Sequence, residues 1–118
     1  MAATKTSRTL YASASLAAAT AVNATELNLS TAYGALVAVK LTNGATAPTT
    51  VPVVKFFVGE STGTKRLFYT ASGDIVNSSV NDIVCEIPPG AMFVNITITN
   101  GATNAITVEA YGQELTTI

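Results

Sequence analysis

Two stretches of this chain carry the same five residues in the same setting. Thr42-Asn43-Gly44-Ala45-Thr46 recurs as Thr99-Asn100-Gly101-Ala102-Thr103, 57 positions later. An alternating apolar run precedes each copy: Val37, Val39 and Leu41 before the first, Val94, Ile96 and Ile98 before the second. After each copy the chain returns to β-branched residues, at Thr50-Val51 and Thr107-Val108. Period-two alternation buries one face of a strand. Asn-Gly between two such runs is a strong hairpin signal, because both residues tolerate the positive φ of a type I′ turn. The pattern predicts two similar antiparallel hairpins in one small chain, and hence a β-sandwich.

Further strands are expected at residues 26–29, 35–42, 51–58, 66–70, 75–78, 83–87 and 91–99. Pro52 cannot donate to a ladder, so the third of these either starts at an edge or begins at Val53. Pro88-Pro89-Gly90 stops another. In the 91–99 strand Met92, Val94, Ile96 and Ile98 are expected to face in, with Phe93, Asn95, Thr97 and Thr99 facing out. The final strand turns Ile106, Val108 and Ala110 inward and Thr107, Glu109 and Tyr111 outward. Beside Val37 and Val39, the companion positions Leu36 and Ala38 are also apolar or small, so that second face is expected to be partly covered. Residues 8–13 alternate loosely and suit a first strand. The Ala-rich stretch 14–24 fits either an extended arm lying along a neighbour or a short internal helix. The reading is an all-β, single-domain antiparallel β-sandwich, jelly-roll-like, over residues 26–118, with an extended N-terminal arm over residues 1–25. A chain of 118 residues buries roughly two-thirds of the surface its unfolded form exposes, enough for a core without metals or disulfides.

Composition narrows the function classes. Charged residues make up 11% of the chain, against about 25% in ordinary soluble domains. Polarity comes instead from Thr, Ser and Asn, and Thr suits a pleated sheet. A weakly charged surface of hydroxyls and methyls desolvates cheaply, and a net charge of −1 favours self-association. Much of this exterior is therefore expected to be covered by partners; the alternative is a monomer whose Thr-rich faces simply favour strands. Lys40, Lys55 and Lys65 are scattered, so the basic stripe that nucleic-acid binding requires is missing. No run reaches the ~20 apolar residues of a spanning helix, and a soluble chain is expected. Lys5 and Arg8 ahead of residues 10–19 superficially resemble a secretory leader, but Ser13 and Ser15 interrupt its apolar core.

Catalytic chemistry is hard to place. The chain contains no His, which removes the commonest general base, the usual nucleophilic triads and Cys/His zinc sites. The carboxylates Asp74, Asp82, Glu86 and Glu109 form no motif and read as solvated groups. Residues 59–65 carry glycines at Gly59 and Gly63 but lack phosphate-loop spacing and do not lead into a helix. The sole cysteine, Cys85, shares a face with Ile83 and Ile87 and is expected to be a buried, inert thiol. Asn-x-Ser/Thr triplets at Asn23, Asn28, Asn77 and Asn95 are what a chain rich in these residues contains by chance. No catalytic, cofactor-binding or metal-ligating residue is expected. Exposed aromatics on a sheet can anchor a partner or stack a sugar. Phe93, Tyr111, Phe68 and Tyr69 are the candidate interface residues, unless the arm or a second sheet covers them.

Several phrases carry a resemblance: Lys5-Thr6-Ser7-Arg8-Thr9-Leu10, the Asn-Gly-Ala-Thr turns, Ile87-Pro88-Pro89-Gly90 and the closing Val108-Glu109-Ala110-Tyr111-Gly112-Gln113-Glu114-Leu115. In style and composition the chain resembles small structural proteins of tailed-bacteriophage virions. That resemblance implies a non-enzymatic cement (decoration) protein on the capsid, with a head–tail connector or tail component as the alternative. Such a protein binds itself, commonly as a trimer, and a major capsid or other virion protein. It is made in the bacterial host cytoplasm and works in the virion. From the residues alone, a carbohydrate- or host-surface-binding module using Phe93 and Tyr111 is the competing class.

Overall fold

Residues 3–61 and 64–117 are described by a computed structural model of the chain. Nine strands follow in order: β1 (Thr4–Leu16), β2 (Ala21–Asn23), β3 (Leu27–Asn28), β4 (Ala35–Asn43), β5 (Val53–Ser61), β6 (Thr64–Ser72), β7 (Val80–Ile87), β8 (Phe93–Thr99) and β9 (Ile106–Thr117). They form two antiparallel sheets. Sheet A has the order β1-β9-β4-β7, and sheet B the order β2-β8-β5-β6, with β3 also pairing β8. Taking β2 and β3 as one interrupted strand, each sheet holds four strands and the chain passes between sheets as in a jelly roll. Among the described residues there is no helix.

The alternation places the core. In β4 the residues Val37, Val39 and Leu41 are buried, in β8 Val94, Ile96 and Ile98, and in β9 Ile106, Val108 and Ala110. These faces meet between the sheets around Phe56 and Val54 of β5. Burying each large aliphatic side chain stabilises the sandwich by roughly 1.5–3 kcal/mol. Met92, expected inside, is exposed, because the ladder of β8 starts only at Phe93 after the Pro88-Pro89-Gly90 stop.

The repeated pentapeptide does not make hairpins. β4 lies in sheet A and β5 in sheet B, while β8 lies in sheet B and β9 in sheet A, so both copies cross from one sheet to the other. The positive-φ residues among those described are Ala19, Ser78, Asn104 and Gly34, so neither Asn43-Gly44 nor Asn100-Gly101 adopts the type I′ geometry. Each Asn turns its side chain inward instead, leaving Asn43 3% and Asn100 4% exposed. The Asn43 amide donates to the Asp74 carbonyl (3.2 Å), Asp74 Oδ1 (2.9 Å) and the Val76 carbonyl (2.9 Å). The Asn100 amide donates to the carbonyls of Leu16 (3.1 Å), Ala17 (3.3 Å) and Asn104 (2.9 Å). Carbonyls at the ends of a sandwich have left their ladders, and a buried one without a donor is costly. Two side-chain amides supply that need.

The two crossings also bind each other. Thr49 N–H donates to Thr103 Oγ1 (3.0 Å), Ala102 N–H to Thr50 Oγ1 (2.8 Å) and the Asn104 amide to the Ala47 carbonyl (3.0 Å). The backbones approach so closely at Gly101 that a Cβ there would stand 2.0 Å from the Thr50 carbonyl oxygen.

The predicted strand at 75–78 is a loop. Its carbonyl at Val76 is taken by Asn43, while Asp74 Oδ1 accepts Val76 N–H (3.1 Å) and Asp74 Oδ2 accepts the Ser79 hydroxyl (2.8 Å). Tertiary hydrogen bonds thus override β-propensity there, and Ile75 and Val76 stay exposed. The N-terminal stretch expected to reach a neighbour as an arm lies on its own chain. β1 pairs with β9 through three register breaks, between Thr4 and Lys5, between Thr9 and Tyr11 and between Tyr11 and Ala14. Leu10 and Leu16 are buried, and Thr25 N–H donates to the Leu10 carbonyl (2.8 Å), tying the two sheets. The β5–β6 hairpin is present, with Ser61 opposite Thr64; the loop predicted at its tip falls partly on residues 62 and 63, outside the described residues.

Two outcomes follow from these loops. Gly101→Ala is expected to cost about 2–3 kcal/mol in urea unfolding. Gly44→Ala, whose added Cβ meets nothing nearer than 3.8 Å, is expected to change stability by less than ~0.5 kcal/mol. The Ser79 hydroxyl, followed by Val76 N–H, holds the Asp74 carboxyl below its ordinary value. A depressed folded pKa gives stability that is present above the unfolded pKa and lost as pH falls through the folded one. Acid titration of unfolding is expected to show wild type losing its advantage over Asp74→Asn as pH drops below about 4.

Candidate interaction surfaces

Outside the core, the outer face of sheet A is built by the same alternation. Thr9, Tyr111, Ala38 and Val84 form one row across all four strands, and Ser7, Gln113, Leu36 and Glu86 form the next. Leu36 is 47%, Val84 54% and Tyr111 44% exposed, so the row is apolar and open. Between the two rows lies a shallow depression of about 320 Å³. The Tyr111 hydroxyl donates to Glu109 Oε2 (2.5 Å), and Glu109 Oε1 lies 3.9 Å from Lys40 Nζ. The hydrogen bond to Glu109 holds the Tyr111 proton and raises its pKa. Tyr111 is thus a fixed neutral ring on a flat sheet, suited to burial against another surface rather than to proton transfer.

The other three aromatic candidates lie elsewhere. Phe93 faces outward from sheet B, half-buried, between Asn28 of β3 and Gly59 of β5. Phe68 is the extra residue of a β-bulge on the edge strand β6, between the pairs Phe57–Leu67 and Phe56–Tyr69. Tyr69 turns toward the rim of the core, with its ring 5.9 Å from that of Phe56 and tilted by 33°. The four therefore occupy two outer faces and one edge rather than a single patch. Leu36, Val84 and Leu67 belong to the exposed apolar set as well. Leu36 had a sequence signal, the apolar companion face of β4, whereas Val84 and Leu67 read locally as ordinary strand residues.

A second, polar depression of about 340 Å³ opens between the sheets beside β1 and β3, lined by Arg8, Thr25, Glu26, Asn28 and Glu114 among others. Glu114 points inward with a side chain only 6% exposed, and Arg8 Nε reaches its Oε2 at 2.5 Å. Lys65 and Glu26 pair at 2.6 Å. Arg8 and Glu114 pair within sheet A, on the adjacent strands β1 and β9, and Lys65 of β6 reaches Glu26 in the β2–β3 connection. Cys85 is buried, as its face predicts, and burial raises its thiol pKa. Among the described residues no group of three or more His, Cys, Asp or Glu side chains is placed to hold a metal ion.

No protein-family model matches the chain, and no curated protein is similar to it. Solved structures do share its fold. A Bacillus endospore appendage protein, described as forming disulfide-linked pili, aligns over 100% of this chain and 93% of its own, at TM-score 0.58 and 19% identity. The SPBc2 prophage-derived protein YomS aligns over 97% of this chain and 95% of its own, at TM-score 0.54 and 18% identity. A chain of infectious bursal disease virus aligns over 95% of this chain but only 32% of its own, at TM-score 0.62 and 8% identity. The chain has a β-sandwich fold that also occurs in viral, prophage-derived and pilus proteins.

Proposed function

We propose that this chain is a non-enzymatic structural subunit of a virion, working as a capsid cement protein that binds its own copies and the major capsid protein. The observation that carries the reading is the outer face of sheet A. A row of Thr9, Tyr111, Ala38 and Val84 crosses four strands with no charge in it, on a chain with only 11% charged residues. Such a face loses little on desolvation and gains apolar burial when covered. A subunit that binds only the assembled shell stabilises it by mass action, since rupture must release it. The fold shared with a virus chain and a prophage-derived protein supports the same direction. The pilus likeness suggests assembly of another kind, but disulfide linkage does not suit a chain whose one cysteine is buried.

A head–tail connector or tail component is the nearest alternative placement. The depression beside Tyr111 favours a second reading, a carbohydrate- or host-surface-binding module. Mass spectrometry and imaging of purified particles from the encoding phage separate these. Many copies spread over the shell are expected, and particles lacking the chain should rupture at lower temperature. A few copies at one vertex would point to the connector. Absence from particles, together with a glycan-array signal lost on Tyr111→Ala, would replace the virion reading with the binding module.

A further inference from the structure

The register of sheet A fixes which side chains share its outer face. Across β1, β9, β4 and β7, one row is Ser7, Gln113, Leu36 and Glu86, and the next is Thr9, Tyr111, Ala38 and Val84. Glu109, Lys40 and Asp82 follow on one side, where β1 is bulged, and Lys5 and Leu115 on the other. Successive rows lie about 7 Å apart and neighbouring strands about 4.8 Å. Leu36, Val84 and Tyr111 stand exposed on this face. Four strands and the 9 residues of β4 give it a footprint of roughly 20 by 30 Å, or about 600 Å². Each partner in a stable interface contributes about 600–1,000 Å².

The face is complementary to itself in one orientation. Aligned sheets pack with their strands within about 30° of each other, so a second copy can be turned about an axis across the strands or about one along them. An axis across the strands, at the Tyr111 row, lays each strand reversed on its own copy. Tyr111 then meets Tyr111, Lys40 meets Leu36, and Asp82 meets Glu86, like charge on like. Shifted by half a row, the same axis lays Glu86 or Asp82 on Val84. An axis along the strands, between β9 and β4, keeps every row level and reverses the strand order. The broad Tyr111 ring then lies over the partner's small Ala38, and Leu36 over the partner's Gln113. Glu109 lies over the partner's Lys40, so the Glu109–Lys40 pair of each copy joins into a ring of four alternating charges.

The edges match as well. Ser7 faces the partner's Glu86, and Lys5, one row on, reaches the same carboxylate. Within one sheet Lys5 and Glu86 lie three strands, or about 14 Å, apart. Both are exposed, and neither forms an ion pair in its own chain among the described residues. Thr9 of one copy meets Val84 of the other.

We infer that a second copy of this chain covers the outer face of sheet A, face to face, about a two-fold axis that runs along the strands between β9 and β4. The inference rests on the self-association proposed above and names its surface, a dimer in place of the trimer that the virion resemblance implies.

Light scattering and crosslinking of the free full-length chain test it. Wild type is expected at twice the 12.1 kDa chain mass. Ala38→Arg puts a long cation where the partner's Tyr111 lies and is expected to leave only monomer, with thermal unfolding close to wild type because the side chain points outward. Lys5→Glu and Glu86→Lys each set like charges against each other twice. At low salt each is expected to weaken the dimer about tenfold, and the double exchange to restore it. Thr9→Cys and Val84→Cys chains, oxidised as a mixture, are expected to crosslink to each other, while neither crosslinks to itself. A wild type that is monomeric at all concentrations, a trimer, or a dimer that survives Ala38→Arg would each overturn the inference. So would charge changes that neither weaken the dimer nor restore it in combination, a cysteine mixture that stays uncrosslinked, or either cysteine chain crosslinking to itself. Particle composition decides the virion reading separately, so either can fail while the other stands.

Discussion

The side-chain amides of Asn43 and Asn100 hold the architecture together. A strand that ends with its carbonyls inside the molecule needs donors, and each of these short side chains reaches three acceptors. They can do so only from inside the sandwich, and so the chain must leave its sheet at those points. A hairpin at either place would have turned the amide out to water and taken a donor from the carbonyls of Asp74 and Val76, or of Leu16 and Ala17. With crossings in place of hairpins, β4 must find β9, and β5 must find β8. The same solution appears twice, at opposite ends of the sequence repeat, and the two crossings are bonded to each other through Thr49, Thr50, Thr103 and Asn104.

What was legible in the sequence was whatever depends on period. Alternation alone identified the buried faces of β4, β8 and β9, because a pleated strand leaves its side chains no other option. The partner of each strand was not legible, since Asn-Gly serves a tight turn and a crossing equally well. The amide that decides between them has its acceptors 31 and 33 residues away in the case of Asn43. The 75–78 stretch was misread for the same reason: its β-branched residues favour a strand locally, and a distant Asn takes the carbonyl. The Arg8–Glu114 pair, separated by 106 positions, left no local trace at all. Of the candidate interface, the exposure of Tyr111 followed from alternation. The placement of Phe93 on the other sheet did not, because it depends on the crossing between β8 and β9.

Low charge and open apolar faces belong together in this molecule. Where carboxylates are partly buried they are matched, as at Glu114 with Arg8 and Glu26 with Lys65. On the outer face of sheet A, Glu109 ties down both Tyr111 and Lys40. The side bounded by β1, β2 and β3 is bulged, interrupted and cross-bonded, whereas β7 pairs with β4 without a break and leaves Val80 and Val84 exposed.

The place of β9 has a consequence for how the chain matures on the ribosome. β9 lies between β1 and β4, so sheet A has a gap at its centre until that strand has been synthesised. Until then β1 has no partner, and β4 shows an open ladder where β9 will sit. Pairings this distant in sequence close slowly, and unpaired ladders invite contact with other nascent chains. A sandwich wired in this way can close sheet A only once its last strand has left the ribosome, so the edges of β1 and β4 are the last to be covered.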